Sequence, residues 1–328
     1  MTYREADLHW EQRPEAITHR DVAGVAVDSA DNVYLFTRFD HQVLVYSPEG
    51  KFLRAWGAGT FTNAHNIRIG PDGAVYCVDN GDHSVRKFTP DGELLLTLGV
   101  PGTPSQTGYR TDLPVRIHNV ETVARPAGPF NGCTDIAIGP AGDIFVSDGY
   151  GNCRVHHFSA SGKLLNSWGE IGDGPGQFRL PHGICLAPDG RLLVADREND
   201  RIQIFSPDGE YLSEWTDTQR PTHLVFDAQG RAYVSELWWH KGDSAPRQGR
   251  KITDPLYGRV SVFDRDGRLL TRWGTPEATA AGSFAAPHGI AVDSRGDIYV
   301  AEVTWTFAVS RGRVPANCHT FQKFTHKA

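Results

Sequence analysis

Six segments of this chain can be laid over one another, and a chain that repeats one unit six times has few folds open to it. Each copy opens on an apolar strand: Gly24–Asp28, Asn66–Gly70, Asp135–Gly139, Gly183–Ala187, His223–Asp227 and Gly289–Asp293. A turn and a second strand follow, as in Pro71-Asp72-Gly73 before Val75–Asp79, or Pro188-Asp189-Gly190 before Leu192–Asp196. A third strand ends in an aromatic residue at Tyr46, Phe88, Phe158, Phe205, Phe263 and Phe324. A second turn, such as Pro90-Asp91-Gly92 or Pro207-Asp208-Gly209, leads into a fourth strand that closes on Trp-Gly at Trp56, Trp168 and Trp273. Four short strands per unit, joined by Asp-Gly and Glu-Gly turns of the hairpin kind, are the signature of a propeller blade. The expectation is an all-β, six-bladed β-propeller forming one domain over residues 1–328. The sixth copy lacks its fourth strand. The segment Tyr3–Trp10 ends on the matching tryptophan and is expected to supply that strand and close the ring.

Composition removes several classes of function. A net charge of −6 and the lack of a Lys/Arg-rich block give no electrostatic reason for a nucleic-acid partner. Neither a membrane-length apolar run nor an N-terminal apolar core is visible, so no membrane span and no signal peptide are expected. Five cysteines without CxxC spacing suit a reducing compartment better than a disulfide framework. The chain therefore reads as soluble, cytoplasmic and, as a self-sufficient ring, monomeric.

The repeat also places side chains. With the first strand of each blade running from the top face down beside the central channel, residues ahead of each first strand gather at the top. There the second, fourth and sixth copies carry His65, His182 and His288, while the first, third and fifth carry Ala23, Thr134 and Thr222. Alternation around the ring makes the three imidazoles converge. Three neutral nitrogens with an open fourth position are the donor set of catalytic zinc, and iron(II) or manganese can use the same set. The competing reading is three channel-lining side chains bridged by water. Arg38, Asn80, Tyr150 and Arg197 follow second strands and reach the same rim. An arginine at a channel mouth can hold a carboxylate through two hydrogen bonds. A tyrosine beside a divalent ion can be acidified into a general base. Insertions at about residues 100–129, 237–257 and 303–316 fall on this face too, where loop-borne function is expected. Asp79, Asp148, Asp196, Glu236 and Glu302 read as acceptors in blade turns. Trp238, Trp239, His240 and Trp305 either wall a ligand or anchor the insertions, and the sequence leaves both open.

These residues resemble a known family. The repeats look like NHL repeats, and Ser147–Tyr150, Gly174–Phe178, Pro181-His182 and Ala195–Asn199 resemble the catalytic core of peptidyl-α-hydroxyglycine α-amidating lyase. The likeness runs over nearly the whole chain and is sharpest from Phe130 to Phe205. It implies zinc on His65, His182 and His288, a catalytic Tyr150, and substrate-facing Arg38 and Arg197. The implied reaction splits an N-acyl carbinolamine acid into a primary amide and glyoxylate: the metal polarises the α-hydroxyl, the tyrosine takes its proton, and an arginine holds the carboxylate. The implied partner is a small molecule or short acylated carboxylate. Three departures bear on this. Gly151 stands where the animal enzymes carry a disulfide cysteine, no cysteine pair flanks Ala195–Asn199, and Gly289 replaces the aspartate of the family's structural calcium site. The last tells against calcium, and the first two against secreted peptide hormones as substrates. Two rivals stay open: a metal-dependent lactonase or esterase, and a non-catalytic scaffold that binds a protein through its top face.

Overall fold

The structure is a computed structural model and describes residues 6–38, 42–113, 116–239 and 257–325. Six four-stranded antiparallel sheets surround a channel, with each blade's first strand innermost against those of its neighbours. Blade one runs from Val22 to Trp56, blade two from Ala64 to Leu98, blade three from Asp135 to Trp168, blade four from Pro181 to Trp215 and blade five from Pro221 to Trp273. Blade six takes three strands, Pro287–Val292, Ile298–Glu302 and Phe321–Phe324, and borrows Ala6–Asp7 for the fourth. Ala6 pairs with Phe324 and Asp7 with Lys323, so the two ends of the chain share one sheet and close the ring.

The second strands Val75–Asp79 and Leu192–Asp196 and the aromatic ends of all six third strands lie where the pattern puts them. The first strands of blades one, two, four, five and six start earlier than the apolar pattern, at Val22, Ala64, Pro181, Pro221 and Pro287. The cause is a β-bulge: the pairing jumps over Ala23, His65, His182, Thr222 and His288, which breaks the alternation that marks a strand in sequence.

The repeated aromatics staple blade to blade. Trp56 packs on Phe88 at 5.1 Å between ring centres, Trp168 on Phe205 at 6.0 Å, Trp215 on Phe263 at 5.6 Å and Trp273 on Phe324 at 5.6 Å. Trp10 reaches Tyr46 at 5.7 Å and does the same for the closing blade. In the four pairs from Trp56 to Trp273 a fourth strand meets the third strand of the next blade, while Trp10 lies just past the closing strand Ala6–Asp7, and such contacts add to the area buried. Blade two ends on Leu98 instead, which joins the cluster around Phe158.

The acids at the ends of second strands are all fully buried. They bind the loop that enters the first strand, not their own turn alone. Asp79 accepts from the N–H of Thr62 and Asn63, Asp148 from Asn131, Asp196 from Arg179, Glu236 from Gln219, and Glu302 from Ala285 and Ala286. Each fixes the approach to a channel-lining position. Of the insertions, residues 240–256, and His240 with them, lie outside the described residues. Among the described residues, no helix is long and apolar enough to cross a membrane.

Candidate metal centre

A bulge re-aims the side chain of its extra residue, and here it turns three buried histidines toward the channel axis. The rings of His65, His182 and His288 lie 4.7 to 4.8 Å apart centre to centre. One nitrogen from each falls within 4.8 Å of the others, and this is the one group of such donors among the described residues.

What orients them is the backbone of the alternate blades. Nδ1 of His65 donates to the Thr134 carbonyl at 2.5 Å, Nδ1 of His182 to Thr222 at 2.7 Å, and Nδ1 of His288 to Ala23 at 2.6 Å. A carbonyl only accepts, so the proton sits on Nδ1 and each Nε2 keeps its lone pair for the axis. Thr134 and Thr222 are locked in turn, their hydroxyls donating to the carbonyls of Pro181 at 2.7 Å and Pro287 at 3.0 Å. Histidine blades and carbonyl blades thus take turns around the ring, which accounts for the alternation in the sequence.

Electrostatics agree with neutral imidazoles. Burial first, then Arg197 and the other two histidines, hold His182 well below the ordinary histidine range. Burial and then Arg38 bring His288 down to about 3. Proton-free, convergent nitrogens with hydrogen-bonded second nitrogens fit a divalent transition metal. They do not fit calcium, which takes oxygen ligands. A Cβ on Gly289, where the resemblance places an aspartate, would be tight against the neighbouring blade, 3.0 Å from Gly24 Cα and 3.2 Å from Val25 N.

Tyr150 stands over this group, its hydroxyl 3.3 Å from His65 Nε2 and 3.5 Å from His182 Nε2. The Arg197 guanidinium lies 5.6 Å from the centre of the Tyr150 ring. It is held by Glu198, which accepts from Arg197 Nε at 2.7 Å and from Arg220 Nη2 at 3.0 Å. Arg38 bonds the Ala64 carbonyl at 3.1 Å, next to His65, and reaches Asp21 at 3.4 Å and Thr306 Oγ1 at 3.1 Å. His65, His182, His288, Tyr150, Arg197 and Arg38 therefore gather at one end of the channel, whereas Asn80 is tied to the entry loop, accepting from Asn63 Nδ2 at 2.5 Å. Glu198, Arg220 and Asp21 were not singled out. Glu198 lies within the Ala195–Asn199 motif, whereas Arg220 and Asp21 carry no local signal. The tryptophans anchor: Trp238 Nε1 donates to the Ala285 carbonyl at 2.8 Å and the buried Trp239 Nε1 reaches Asp200 at 3.3 Å. Trp305 lies under the Arg20 guanidinium at 4.6 Å.

The NHL repeat family model matches residues 130–158, 178–205 and 284–311. Over 92% of its length the chain is 28% identical to mouse peptidyl-glycine alpha-amidating monooxygenase, of which the match covers 32%. It is 32% identical to human NHL repeat-containing protein 3, covering 70% of this chain and 65% of that one. It is 29% identical to Drosophila melanogaster peptidyl-alpha-hydroxyglycine alpha-amidating lyase 1, covering 86% of this chain and 55% of that one. The chain spans about a third of the length of the monooxygenase relatives it matches. Among solved structures, a streptogramin B lyase superposes with a TM-score of 0.56 at 15% identity over 95% of this chain and 86% of that one, a likeness of fold. The chain is a six-bladed propeller of NHL repeats, similar over most of its length to amidating lyases.

Proposed function

We propose that this propeller is a metal-dependent lyase that cleaves an α-hydroxylated N-acylglycine, or a related carbinolamine acid, into an amide and glyoxylate. The observation that carries the reading is the Tyr150 hydroxyl, set within 3.5 Å of two histidine nitrogens and beside the Arg197 guanidinium. The similarity to proteins named amidating lyases supports it.

His65, His182 and His288 would hold a divalent ion through their Nε2 atoms, and such an ion would supply Lewis acidity to a substrate oxygen. The chain's own groups do the rest. Arg197, with Arg38 at the other reach of the site, takes the carboxylate and fixes the hydroxyl-bearing carbon. Tyr150 Oη, as phenolate, accepts the hydroxyl proton, a role favoured by the adjacent positive guanidinium. As the C=O of glyoxylate forms, the C–N bond breaks, its electron pair goes to nitrogen, and that nitrogen takes the proton back from Tyr150 Oη, completing the amide and restoring the phenolate. Glu198 keeps Arg197 from swinging toward solvent, since it binds Nε and is itself held by Arg220.

The test is glyoxylate release from an N-acyl-α-hydroxyglycine by the metal-loaded protein, with Tyr150→Phe alongside. A general base is worth about 10²–10⁴-fold, so kcat should fall by at least ~100-fold while metal content holds. Acid formation without glyoxylate would instead mark a hydrolase. Full turnover by the Phe variant would remove Tyr150 from the chemistry.

A further inference from the structure

Below the histidines, the channel is crossed by a second buried layer. Arg68 Nη2 donates to Asp135 Oδ2 at 2.9 Å and to the carbonyls of Ile184 at 3.0 Å and Leu224 at 3.1 Å, and its Nε faces Asp135 Oδ1 at 3.4 Å. Ile184 N–H donates to Asp135 at 2.9 Å, and Ile290 N–H to His223 Nδ1 at 3.0 Å. His223 therefore carries its proton on Nε2, which lies 3.4 Å from the same carboxylate. Beyond this layer lies a cavity of about 470 Å³, lined by Val27, Ile69, Leu186, Phe226 and Val292 together with Arg68, Cys185 and Asp227, whose carboxylate is already held by Arg231 and Tyr233. Pro188 and Ala228, in the turns that follow first strands, rim it, so it opens on the face opposite the histidines.

We propose that this lower cavity is a second ligand site, for a monoanionic carboxylate with an apolar body. Arg68 lines the cavity with its side chain 14% exposed, and its Nη1 has no hydrogen-bond partner among the described residues. That nitrogen is left as an accessible donor bonded to no protein acceptor, and a carboxylate oxygen entering the cavity can meet it with a charge-assisted hydrogen bond. Asp135 already balances the charge of Arg68 and His223 is neutral, so the layer has no surplus positive charge to offset a doubly charged phosphate, and a ligand is held by one charge-assisted hydrogen bond together with the apolar walls. The aliphatic walls and the Phe226 ring take the body of the ligand, and the volume lies within the ~300–1,000 Å³ of small-molecule sites. None of this depends on the lyase reading.

Cys185 makes the site testable. It lines this cavity, Cys318 lines a different one, and Cys77, Cys133 and Cys153 are buried. Octanoate is the probe, octanamide its uncharged control and inorganic phosphate its tail-less control. At octanoate ten times above its Kd, alkylation of Cys185 should slow about tenfold, while Cys318, followed by mass spectrometry in the same sample, keeps its rate. Calorimetry should give octanoate a Kd below about 1 mM, with octanamide and phosphate far weaker. Val27→Trp fills the cavity without touching the Arg68 layer and should abolish octanoate binding in a folded protein. Arg68→Gln should abolish it too. If that variant fails to fold, the Val27→Trp result decides. No octanoate heat, equal protection by octanamide, phosphate binding as tight as octanoate, or undiminished binding by Val27→Trp would each overturn the proposal.

Discussion

A histidine serves this site because three small things coincide at one residue: it is the extra residue of a bulge, its Nδ1 meets a carbonyl from the next blade, and its Nε2 keeps an unprotonated lone pair toward the axis. Only the first leaves any trace in sequence. Histidine at equivalent positions was legible because a repeat turns sequence equivalence into spatial convergence. The carbonyl partners were not, since every residue type offers a carbonyl, and Ala23 and Thr134 look alike in that respect. Arg220 was invisible for a related reason: its role comes from Glu198, 22 residues away, and from no local pattern. The backbone dependence gives a test that touches no ligand. A Cβ on Gly183 would stand 2.7 Å from the Thr222 carbonyl oxygen that holds His182, and 3.0 Å from His223 Cα. Gly183→Ala should cost ~1–3 kcal/mol by overpacking. It should also weaken metal binding about 10–100-fold, as loss of an outer-shell partner does. Thermal melts and competition against a chelating dye read the two effects. Wild-type metal affinity in a destabilised variant would show that the carbonyl contact does not set the ligand.

Strands and turns were the most legible level. Asp-Gly and Glu-Gly turns, apolar second strands and terminal aromatics each have one physical meaning in a blade, and they fall where the pattern puts them. First strands start two residues ahead of the apolar pattern because the unpaired bulge residue breaks the alternation and hides the paired residue before it. The buried acids were assigned to turns, since a sequence does not show that Asp79 or Glu302 reaches across to the entry loop. The aromatic staples are the element-scale claim with an energy attached. Trp215 is 7% exposed and packs at a tilt on Phe263 of the next blade. Trp215→Ala should therefore cost ~3–5 kcal/mol, measured by urea unfolding. A cost under about 1 kcal/mol would mean the blades are held by their inner strands alone.

For the molecule as a whole, the ring must close and stay closed, and two devices act at that range. One is the pairing of Ala6–Asp7 with Lys323–Phe324. The other is the Arg68, Asp135 and His223 layer, which ties blades two to six across the channel. Burial pushes the Asp135 carboxyl up, but Arg68 and then His223 outweigh it and hold the group down at about 2. Its folded value is below the unfolded value of about 3.9, so its contribution of roughly 2–3 kcal/mol is present above about pH 4 and lost as pH falls toward 2. The stability gap between wild type and Asp135→Asn should then narrow across that window, and a gap independent of pH would contradict the ion-pair account. The central claim remains the metal centre, and metal content of the purified protein by elemental mass spectrometry tests it most directly. The account predicts one transition metal per chain, lost in His65→Ala, His182→Ala and His288→Ala while each variant stays folded. A wild-type protein that remains metal-free after incubation with zinc, iron(II) or manganese would contradict it and leave the top face as a binding surface without the chemistry.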